Sequence, residues 1–349
     1  MTPRQSDAAS GADPKRRRFS RRRVALAVLA VGIATVYIGN ASWIVGPGGD
    51  EPPAVLAHRG LAQIYDRTNL TNETCTAERL LPTGHEYLEN TIPSMQAAFD
   101  LGADVVEFDI HPTKDGRFAV FHDWTLDCRT EGNGRTRDHT LAELQALDIG
   151  YGYTADEGET YPFRGRGAGG MPSLTDVLEA FPDRDLLIDV KGGTPDEGAM
   201  LMERLRAMPF ARRQRLMVYG GPAAVSMVRD SFPEIQTIWA GRLKTCLTRY
   251  AALGWSGHVP AACERSLVTV PANVGPWLWG WPHRFVQRME AAGSRVFILG
   301  DWNGEPYSTA FDDPARLGEI PEGFGGGVWT DRADRIAPAL RSHSGETES

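Results

Sequence analysis

The sequence lacks several patterns that assign a protein to a class at once. Its 349 residues include four cysteines but no Cys-x-x-Cys pair, so a zinc knuckle is not expected. No internal repeat of the kind that builds a solenoid is visible. Basic residues are fewer than acidic ones, 37 against 45, and the formal net charge is -8. Because an acidic protein repels phosphate backbones, the composition argues against a general nucleic-acid-binding role.

Charge is unevenly distributed along the chain. Residues 1–23 contain eight basic and two acidic residues, a net charge of +6, so the other 326 residues carry -14. No charged residue occurs from 24 to 49, and residues 24–45 are apolar and long enough to span a bilayer as a helix. By the positive-inside rule, the basic residues stay in the cytoplasm. We therefore predict a basic cytoplasmic tail (1–23), a single-pass signal-anchor helix (24–45) and an extracytoplasmic body.

The alternative to an anchor is a cleaved signal peptide, and residues 20–23 faintly resemble a twin-arginine export signal. The apolar run exceeds the usual signal-peptide core of about 7–15 residues, and no small-residue cleavage site follows it, which favours the anchor. Both interpretations place the body outside the cytoplasm. Residues 46–53 predict a flexible linker, and residues 342–349 are predicted to be a disordered tail.

The four cysteines are an even number in a body predicted to be exported, which is typical of disulfide bonds. Their neighbourhood along the chain suggests the pairs Cys75–Cys128 and Cys246–Cys263. Three pairings are possible, and the sequence alone does not choose among them. Four unpaired buried thiols are the other alternative.

Short apolar runs alternate with helical segments through the body, which is typical of a parallel α/β sheet. Nine runs qualify as strands, one more than an eight-stranded barrel needs, and residues 267–270 are the weakest of them. Strands are predicted at 54–57, 105–110, 118–121, 186–190, 216–219, 235–240, 267–270, 296–299 and 327–330. Helices are predicted at 92–101, 173–181, 196–208, 222–231, 282–292 and 331–340.

Charged and polar residues cluster at the carboxyl ends of these strands, where parallel α/β folds carry their working residues. Glu107 and Asp109 are two residues apart on one strand, so both carboxylates lie on one face, and Asp189 and Lys191 share a face in the same way. So many charges near a core are costly unless a bound ion compensates them. The candidate set is His58, Arg59, Glu89, Glu107, Asp109, His122, Asp189 and Lys191.

A hairpin links two members of this set. Asp115-Gly116 predicts a two-residue turn. Pairing outward from that turn joins residues 114 with 117 and 113 with 118, which places His122 opposite Asp109 on the same face. An antiparallel hairpin does not belong to a purely parallel barrel, but either arrangement brings His122 to the carboxylates.

The residue types in the set indicate a chemistry. The four carboxylates are oxygen ligands that suit a hard cation, Ca²⁺ or Mg²⁺. Arg59 and Lys191 suit phosphate oxygens, and two histidines suit a reaction that takes up one proton and delivers another. The set therefore predicts metal-assisted hydrolysis of a phosphate ester. The structural alternative is a pair of core histidines and carboxylates that pair with the two cations without a metal.

Five motifs occur in a fixed order: HRG at 58–60, ENT at 89–91, GADVVEFDI at 102–110, TKDGRFAVFHD at 113–123 and LLIDVK at 186–191. Together they resemble the glycerophosphodiester phosphodiesterase family, with a weaker echo, GGVWTD, at 326–331. The resemblance implies a (β/α)8 TIM-type barrel over residues 54–341. It also implies a divalent cation and the hydrolysis of glycerophosphodiesters to an alcohol and glycerol 3-phosphate.

By the same resemblance, His58 and His122 take the acid/base roles, and Arg59 lies against the phosphate. Glu89, Glu107 and Asp109 take the metal positions.

Three departures from the family pattern stand out. Asp189 occupies a position where the family usually carries the longer Glu, which puts its direct contact with a metal in doubt. Residues 61–88 are long for the family, and residues 298–301 replace an expected Trp-Thr-Val-Asn signature. Residues 192–325 match only in their strand rhythm.

Four tryptophans in the late part of the body are not absorbed by the motifs. Such residues usually pack in a core or loop, and an apolar wall for a lipid or sugar is the alternative. They are Trp277, Trp279, Trp281 and Trp302.

The leading hypothesis is a membrane-anchored, exported phosphodiesterase that acts on glycerophosphodiesters or lysophospholipid-like headgroups. One alternative is a phospholipase D of the sphingomyelinase D type, and another is a non-catalytic module that binds anionic polymers or lipids. A two-carboxylate glycosidase would not need Arg59, Lys191 and two histidines together. The leaving alcohol, the metal and the oligomeric state are left open.

Overall fold

The computed structural model describes residues 21–49, 51–71, 74–82, 84–304 and 309–346. Nine β-strands and ten α-helices lie within these ranges. The strands are β1 (Ala54–Ala57), β2 (Val105–Pro112), β3 (Phe118–Val120), β4 (Asp185–Val190), β5 (Leu216–Gly220), β6 (Gln236–Ile238), β7 (Leu267–Pro271), β8 (Arg295–Leu299) and β9 (Gly327–Thr330). The helices are α1 (Arg21–Asn40), α2 (Ile92–Asp100), α3 (Leu141–Gln145), α4 (Leu174–Ala180), α5 (Pro195–Arg206), α6 (Phe210–Arg213), α7 (Pro222–Ser231), α8 (Ala240–Leu253), α9 (His283–Ala291) and α10 (Ala333–Glu346).

Eight of the strands form a nearly closed parallel barrel, which confirms the predicted fold. Their order is β6-β5-β4-β2-β1-β9-β8-β7. Between the two end strands, the Thr237 N–H donates a hydrogen bond to the Arg265 carbonyl at 3.2 Å. All the strands of this barrel therefore end on one face, where the candidate site residues are expected to meet.

The surplus strand is β3, and the doubt about residues 267–270 was wrong. β3 pairs antiparallel with the end of β2 and lies off the barrel. Residues 267–270 belong to β7, which pairs with β8 along its whole length. The burial of this run comes from neighbouring strands and helices, which the run itself does not reveal.

The predicted hairpin exists, but its predicted register was wrong by one residue. Pro112 pairs with Phe118, and the Thr113 N–H donates to the Arg117 carbonyl at 2.9 Å. The loop therefore has three residues, and its last, Gly116, takes the left-handed φ of 71° that such loops require. The shift places Phe121 rather than His122 beside Asp109 in the ladder. His122 lies beyond the end of β3 at Val120.

The barrel interior changes character along the strands. Its first layers are apolar and include Leu56, Val105, Leu187, Met217 and Phe297. Because side chains alternate in strands, the residues two and four positions after Val105 share its face. These are Glu107 and Asp109, and Asp189 follows Leu187 in the same way. An apolar floor thus supports a layer of carboxylates at the carboxyl ends.

Both predicted disulfide pairs are confirmed. Cys75–Cys128 has a Cα–Cα distance of 5.4 Å and Cys246–Cys263 one of 4.8 Å. The first joins the long segment before α2 to the loop excursion that follows β3. The second joins α8 to the segment before β7. By loop-closure entropy, each contributes on the order of 3–4 kcal/mol. Helix α8 was not predicted from the sequence.

Helix α1 is the one helix among the described residues that is long and apolar enough to cross a membrane. A signal sequence meets the same criterion. The helix begins three residues before the predicted 24–45 segment and ends five residues before its end. The predicted basic tail falls mainly on residues 1–20, which lie outside the described residues. At the other terminus, α10 continues to Glu346, past the predicted domain boundary at 341, and residues 347–349 are again outside.

Candidate active site

The His-Arg-Gly motif forms a tight turn directly after β1. Arg59 and Gly60 have φ angles of 59° and 76°, a region that costs a non-glycine residue about 1–3 kcal/mol. A Cβ at Gly60 would lie 2.7 Å from Ser94 Oγ, so glycine is required for this approach to α2. The Arg59 N–H donates to Glu107 Oε2 at 3.0 Å. The turn thereby places His58 and Arg59 against the end of β2.

The Glu-Asn-Thr motif is fastened to the same strand end. Asn90 also has a left-handed φ, 60°. Its Nδ2 donates to Asp109 Oδ2 at 2.8 Å, and its Oδ1 accepts from the Asp109 N–H at 3.1 Å. Thr91 then caps α2 with a reciprocal capping box. Asn90 therefore holds both the Asp109 carboxylate and the segment that carries Glu89.

Three carboxylates converge at the end of β2 and β4. Glu107, Asp109 and Asp189 are all buried, and one oxygen from each lies within 4.8 Å of the others. Asp109 and Asp189 are neighbours because β2 and β4 pair in register at these positions. The shorter Asp189, whose role the sequence left in doubt, is thus close enough to share an ion with the other two. Such an oxygen-only group suits Ca²⁺ or Mg²⁺.

Two cations contact the same group from the side. Lys191 Nζ lies 3.2 Å from Asp109 Oδ1 and 3.1 Å from Asp189 Oδ2. Arg59 Nε lies 3.3 Å from Asp109 Oδ2. These contacts bring together the two residues that the sequence assigned to phosphate binding. Both side chains lie beside the carboxylates, so a phosphodiester bound there would contact the two cationic side chains and the carboxylate group.

The two cations do not balance the three carboxylates. Burial, followed by Asp109 and Asp189, raises the pKa of Glu107 well above its usual range. Burial raises the pKa of Asp189 to about 6. Lys191 acts in the opposite direction, and Asp109 contributes to the rise. Burial opposes ionisation of Asp109 as well, but Lys191 and Arg59 outweigh it and hold that pKa well below its usual range. The group therefore favours an additional positive charge, which a divalent cation would supply.

Glu89 lies beside this group rather than within it. Its Oε1 accepts from Arg59 Nη1 at 2.9 Å and lies 2.8 Å from Arg129 Nη1. Its Oε2 is buried without a hydrogen-bond donor among the described residues. Burial opposes its ionisation, but the two arginines outweigh it and lower its pKa. Its role as a metal ligand stays a prediction.

The two histidines are anchored in the same manner. His58 Nδ1 lies 2.5 Å from Asp331 Oδ1, and His122 Nδ1 lies 2.6 Å from Asp123 Oδ1. The side chains remain 20% and 28% exposed, so each Nε2 is available to a substrate. His58 Nε2 is 3.7 Å from Glu107 Oε2. Burial, followed by Arg59 and Lys191 on the same side of the site, lowers the pKa of His122 to about 4.

Comparison with known proteins places this chain in a family. The sequence model of the glycerophosphoryl diester phosphodiesterase family matches residues 81–298. The chain belongs to this family. Among curated members, it is similar to a glycerophosphodiester phosphodiesterase of Caldanaerobacter subterraneus, at 40% identity over 30% of this chain and 39% of that protein. A probable glycerophosphodiester phosphodiesterase of Mycobacterium tuberculosis is 29% identical over 63% of this chain and 78% of its own length.

Solved structures of family members share the fold. The phosphodiesterase domain of an uncharacterized Mycobacterium tuberculosis protein matches with a TM-score of 0.57 and 16% identity, over 84% of this chain and all of that one. An Oleispira antarctica phosphodiesterase, in complex with the product sn-glycerol-3-phosphate, matches with a TM-score of 0.51 and 19% identity, over 83% and 97%. The sequence matches are shorter. The chain spans about two fifths of the length of the first bacterial relatives.

Sequence reasoning missed several residues that shape the site of this family member. Asp331 and Tyr219 were missed although both stand at strand ends, where the rule applied to the other residues would have found them. Tyr219 donates its hydroxyl to Glu107 Oε1 at 3.4 Å. Asp123 was visible in its motif but was given no role. Arg129 lies in the loop excursion after β3, and no periodicity or motif in the sequence marks it.

Arg129 is the centre of a buried network behind the histidine. Its Nε donates to Asp123 Oδ2 at 2.8 Å, its Nη1 contacts Glu89, and its hydrogen bonds extend to the Tyr153 hydroxyl and Thr76 Oγ1. The adjacent residue in the chain, Cys128, is bonded to Cys75, which precedes Thr76. The disulfide thus joins the two segments that hold Arg129. Arg129 is a positioning residue, since it orients Asp123 and through it His122.

We expect Arg129→Ala to destabilise the protein by about 3–5 kcal/mol, because it leaves the buried Glu89 and the partly buried Asp123 without their shared cation. Urea unfolding followed by circular dichroism measures this loss. Arg135→Ala is the matched control, since Arg135 pairs with Asp138 at 2.9 Å on the exposed surface, where an ion pair contributes about 0–1 kcal/mol. Equal losses in the two variants would contradict the assigned role.

Proposed function

We propose that this chain hydrolyses glycerophosphodiesters to an alcohol and glycerol 3-phosphate. The observation that carries the proposal is the arrangement of His58 and His122, each anchored through Nδ1 by a carboxylate, around the group of Glu107, Asp109 and Asp189. Two basic side chains beside that group suit a phosphodiester rather than a neutral ester. Family membership supports the same reaction class.

The two histidines carry out different proton transfers. His122 accepts the proton of the attacking water at Nε2 as the new P–O bond forms and the bond from phosphorus to the alcohol breaks, because its lowered pKa keeps that nitrogen unprotonated at neutral pH. Asp123 accepts the hydrogen bond from Nδ1–H and holds the ring in that tautomer. His58 carries the proton for the leaving alcohol, flanked by Asp331 and Glu107. Arg59 and Lys191 bind the non-bridging phosphate oxygens.

A divalent cation fits the carboxylates. Asp109 Oδ1 is buried without a hydrogen-bond donor in hydrogen-bonding geometry among the described residues, and the pKa of neighbouring Glu107 is raised by burial and by its anionic neighbours. Glu107, Asp109 and Asp189 would hold the ion, and Glu89 is the further ligand predicted from the sequence. When bound, such an ion would supply charge neutralisation at a non-bridging oxygen of the phosphate. Ca²⁺ and Mg²⁺ both suit these oxygen ligands.

The proposal includes anchoring by α1, with the barrel outside the cytoplasm. One feature supports an uncleaved anchor over a signal peptide. The last turn of α1 contacts the barrel, because Arg288 Nη2 donates to the Gly39 carbonyl at 3.0 Å. The two disulfides agree with an oxidising compartment.

The direct test uses the purified full-length protein and glycerophosphocholine with added Ca²⁺ or Mg²⁺. We expect release of choline and glycerol 3-phosphate. The conversion of the phosphodiester signal to that of glycerol 3-phosphate is measured by ³¹P NMR. Glycerol 3-phosphate itself is the control substrate and should persist, since it is a monoester. No metal-dependent cleavage of any glycerophosphodiester would rule the proposal out.

A second candidate is a lysophospholipase D activity. It is favoured by a human lysophospholipase D that is 34% identical over 39% of this chain and 41% of its own length. The same assay separates the two functions. Choline release from lysophosphatidylcholine, without cleavage of glycerophosphocholine, would favour the second candidate.

A further inference from the structure

Four tryptophans lie exposed on one flank of the barrel. Trp43 follows α1, Trp255 follows α8, and Trp277 and Trp279 lie in the loop between β7 and α9. They are 71%, 48%, 83% and 38% exposed. We call this group the tryptophan shelf. Large apolar patches on a protein surface mark sites of contact with a partner or a membrane.

The end of α1 is held directly against this flank. Asn40 Nδ2 donates to the Trp255 carbonyl at 2.8 Å, and Asn40 Oδ1 accepts from Arg288 Nη1 at 2.9 Å. Arg288 Nη1 also donates to the Gly254 carbonyl at 3.0 Å and to the Tyr250 hydroxyl at 2.9 Å. One guanidinium therefore ties the last turn of α1 to the end of α8 and leaves little freedom between them.

The other members of the shelf are joined to the same place. The Ser42 hydroxyl oxygen accepts from the His283 N–H at 2.8 Å, so the segment that carries Trp43 lies on the start of α9. Trp279 Nε1 donates to the Ala251 carbonyl at 2.8 Å. The indole of Trp279 is thus hydrogen-bonded to α8 at a residue four positions before Trp255. The segments that carry Trp43, Trp255 and Trp279 therefore meet near the point at which α1 ends, and Trp277 lies two residues before Trp279 in the same loop.

The length of α1 sets the level of the shelf. The uncharged part of α1, residues 24–40, has 17 residues and is about 26 Å long, which is close to the hydrocarbon thickness of a bilayer. When the helix spans, its last residue lies where the hydrocarbon ends. Side chains fixed around Asn40 then lie at the level of the lipid headgroups, where tryptophan is enriched because its ring is apolar and its N–H is polar.

We propose that the tryptophan shelf lies in the headgroup region of the membrane that α1 spans, so that the barrel rests on the bilayer surface rather than extending away from it. This inference depends on the anchor of the proposed function. The occupant is the bilayer because the shelf is continuous with the membrane-crossing helix through direct hydrogen bonds.

The shelf is also connected to the rim of the site. The loop between β7 and α9, which carries Trp277 and Trp279, contains Asn273 near its start. The Asn273 side chain donates to the Trp302 carbonyl at 2.8 Å and accepts from the Trp302 N–H at 3.0 Å. Asn273 follows the carboxyl end of β7, and Trp302 follows that of β8. One loop therefore runs from the face that carries the active site to the shelf.

Spin labelling in lipid nanodiscs tests the proposal with the full-length protein. The four native cysteines are all in disulfides, so an introduced cysteine is labelled selectively. Trp277→Cys and Trp255→Cys place a nitroxide on the shelf. We expect collisions with oxygen to exceed collisions with a water-soluble nickel chelate severalfold at both positions, as at a membrane interface.

Two further labels complete the experiment. Phe210→Cys is the matched control, because Phe210 is 56% exposed on α6, an element that carries no residue of the shelf; its label should be water-accessible. Val31→Cys, in the middle of α1, should report lipid. If the labels at 277 and 255 collide mainly with the nickel chelate while the label at 31 collides mainly with oxygen, the shelf proposal is overturned and the anchor is not. Water-like values at 31 would overturn the anchor and the shelf together. Glycerophosphocholine cleavage by the same samples reports the proposed activity separately.

Discussion

His58→Ala should lower kcat for glycerophosphodiester hydrolysis by about 10²–10⁴-fold, the usual contribution of a general acid or base. The side chain is anchored by Asp331 and contacts Glu107 on the reacting side. KM should change little, because Arg59 and Lys191 still bind the phosphate. Steady-state kinetics with glycerophosphocholine measure both parameters. His122→Ala should show the same pattern.

The control for these variants is His258→Ala, since His258 is exposed after the end of α8. It should retain the wild-type kcat. A substrate whose leaving alcohol is strongly acidic adds a sharper test, because such an alcohol leaves without a proton. Such a substrate should rescue His58→Ala, which lacks the proton donor for the alcohol, and not His122→Ala. If His58→Ala keeps full activity with all substrates, the histidine has no acid/base role. A chain that only binds its ligand would have no turnover in any of these assays.

Removal of divalent cations by EDTA should abolish hydrolysis, and Ca²⁺ or Mg²⁺ should restore it. The same ions should raise the melting temperature of the wild-type protein, because a ligand that binds only the native state stabilises it. The physical reason is the uncompensated charge of Glu107, Asp109 and Asp189. Differential scanning fluorimetry measures the stabilisation without any reference to activity.

Glu107→Gln should lose both effects. Without metal, this variant should be at least as stable as the wild type, since it removes a buried carboxyl group whose ionisation is opposed by burial and by Asp109. With metal, it should gain far less stability than the wild type. Glu179→Gln on the exposed side of α4 is the control and should respond to metal as the wild type does. An equal metal-induced rise in all three proteins would contradict the assigned ligand group.

Most of the site could be predicted because its residues stand at strand ends. His58, Glu107 and Asp189 each lie where a short apolar run stops, and parallel strands bring such ends to one face. Asp331 and Tyr219 obey the same rule. Arg129 does not obey it. Its position depends on the loop excursion after β3 and on the Cys75–Cys128 disulfide, and contacts over such distances in the chain leave no local pattern.

The hairpin shows how a small local difference changes a side chain's neighbour. Asp115-Gly116 fits a two-residue turn, and the structure instead contains a three-residue loop that ends in Gly116. Because side chains alternate along a strand, a shift of one residue exchanges the two faces. His122 still faces the carboxylates because it lies past the end of β3, where the ladder no longer dictates its direction.

The amino-acid sequence by itself determined the parallel α/β class, the family motifs, the apolar helix and the two histidines, because each of these is a local pattern of a few residues. Only the tertiary structure decided which strand lies outside the barrel, that Glu89 pairs with two arginines beside the group of three carboxylates, and that the segments carrying Trp43, Trp255 and Trp279 meet near the end of α1. These depend on contacts between residues far apart in the chain. Packing in three dimensions sets such contacts, and no single segment encodes them.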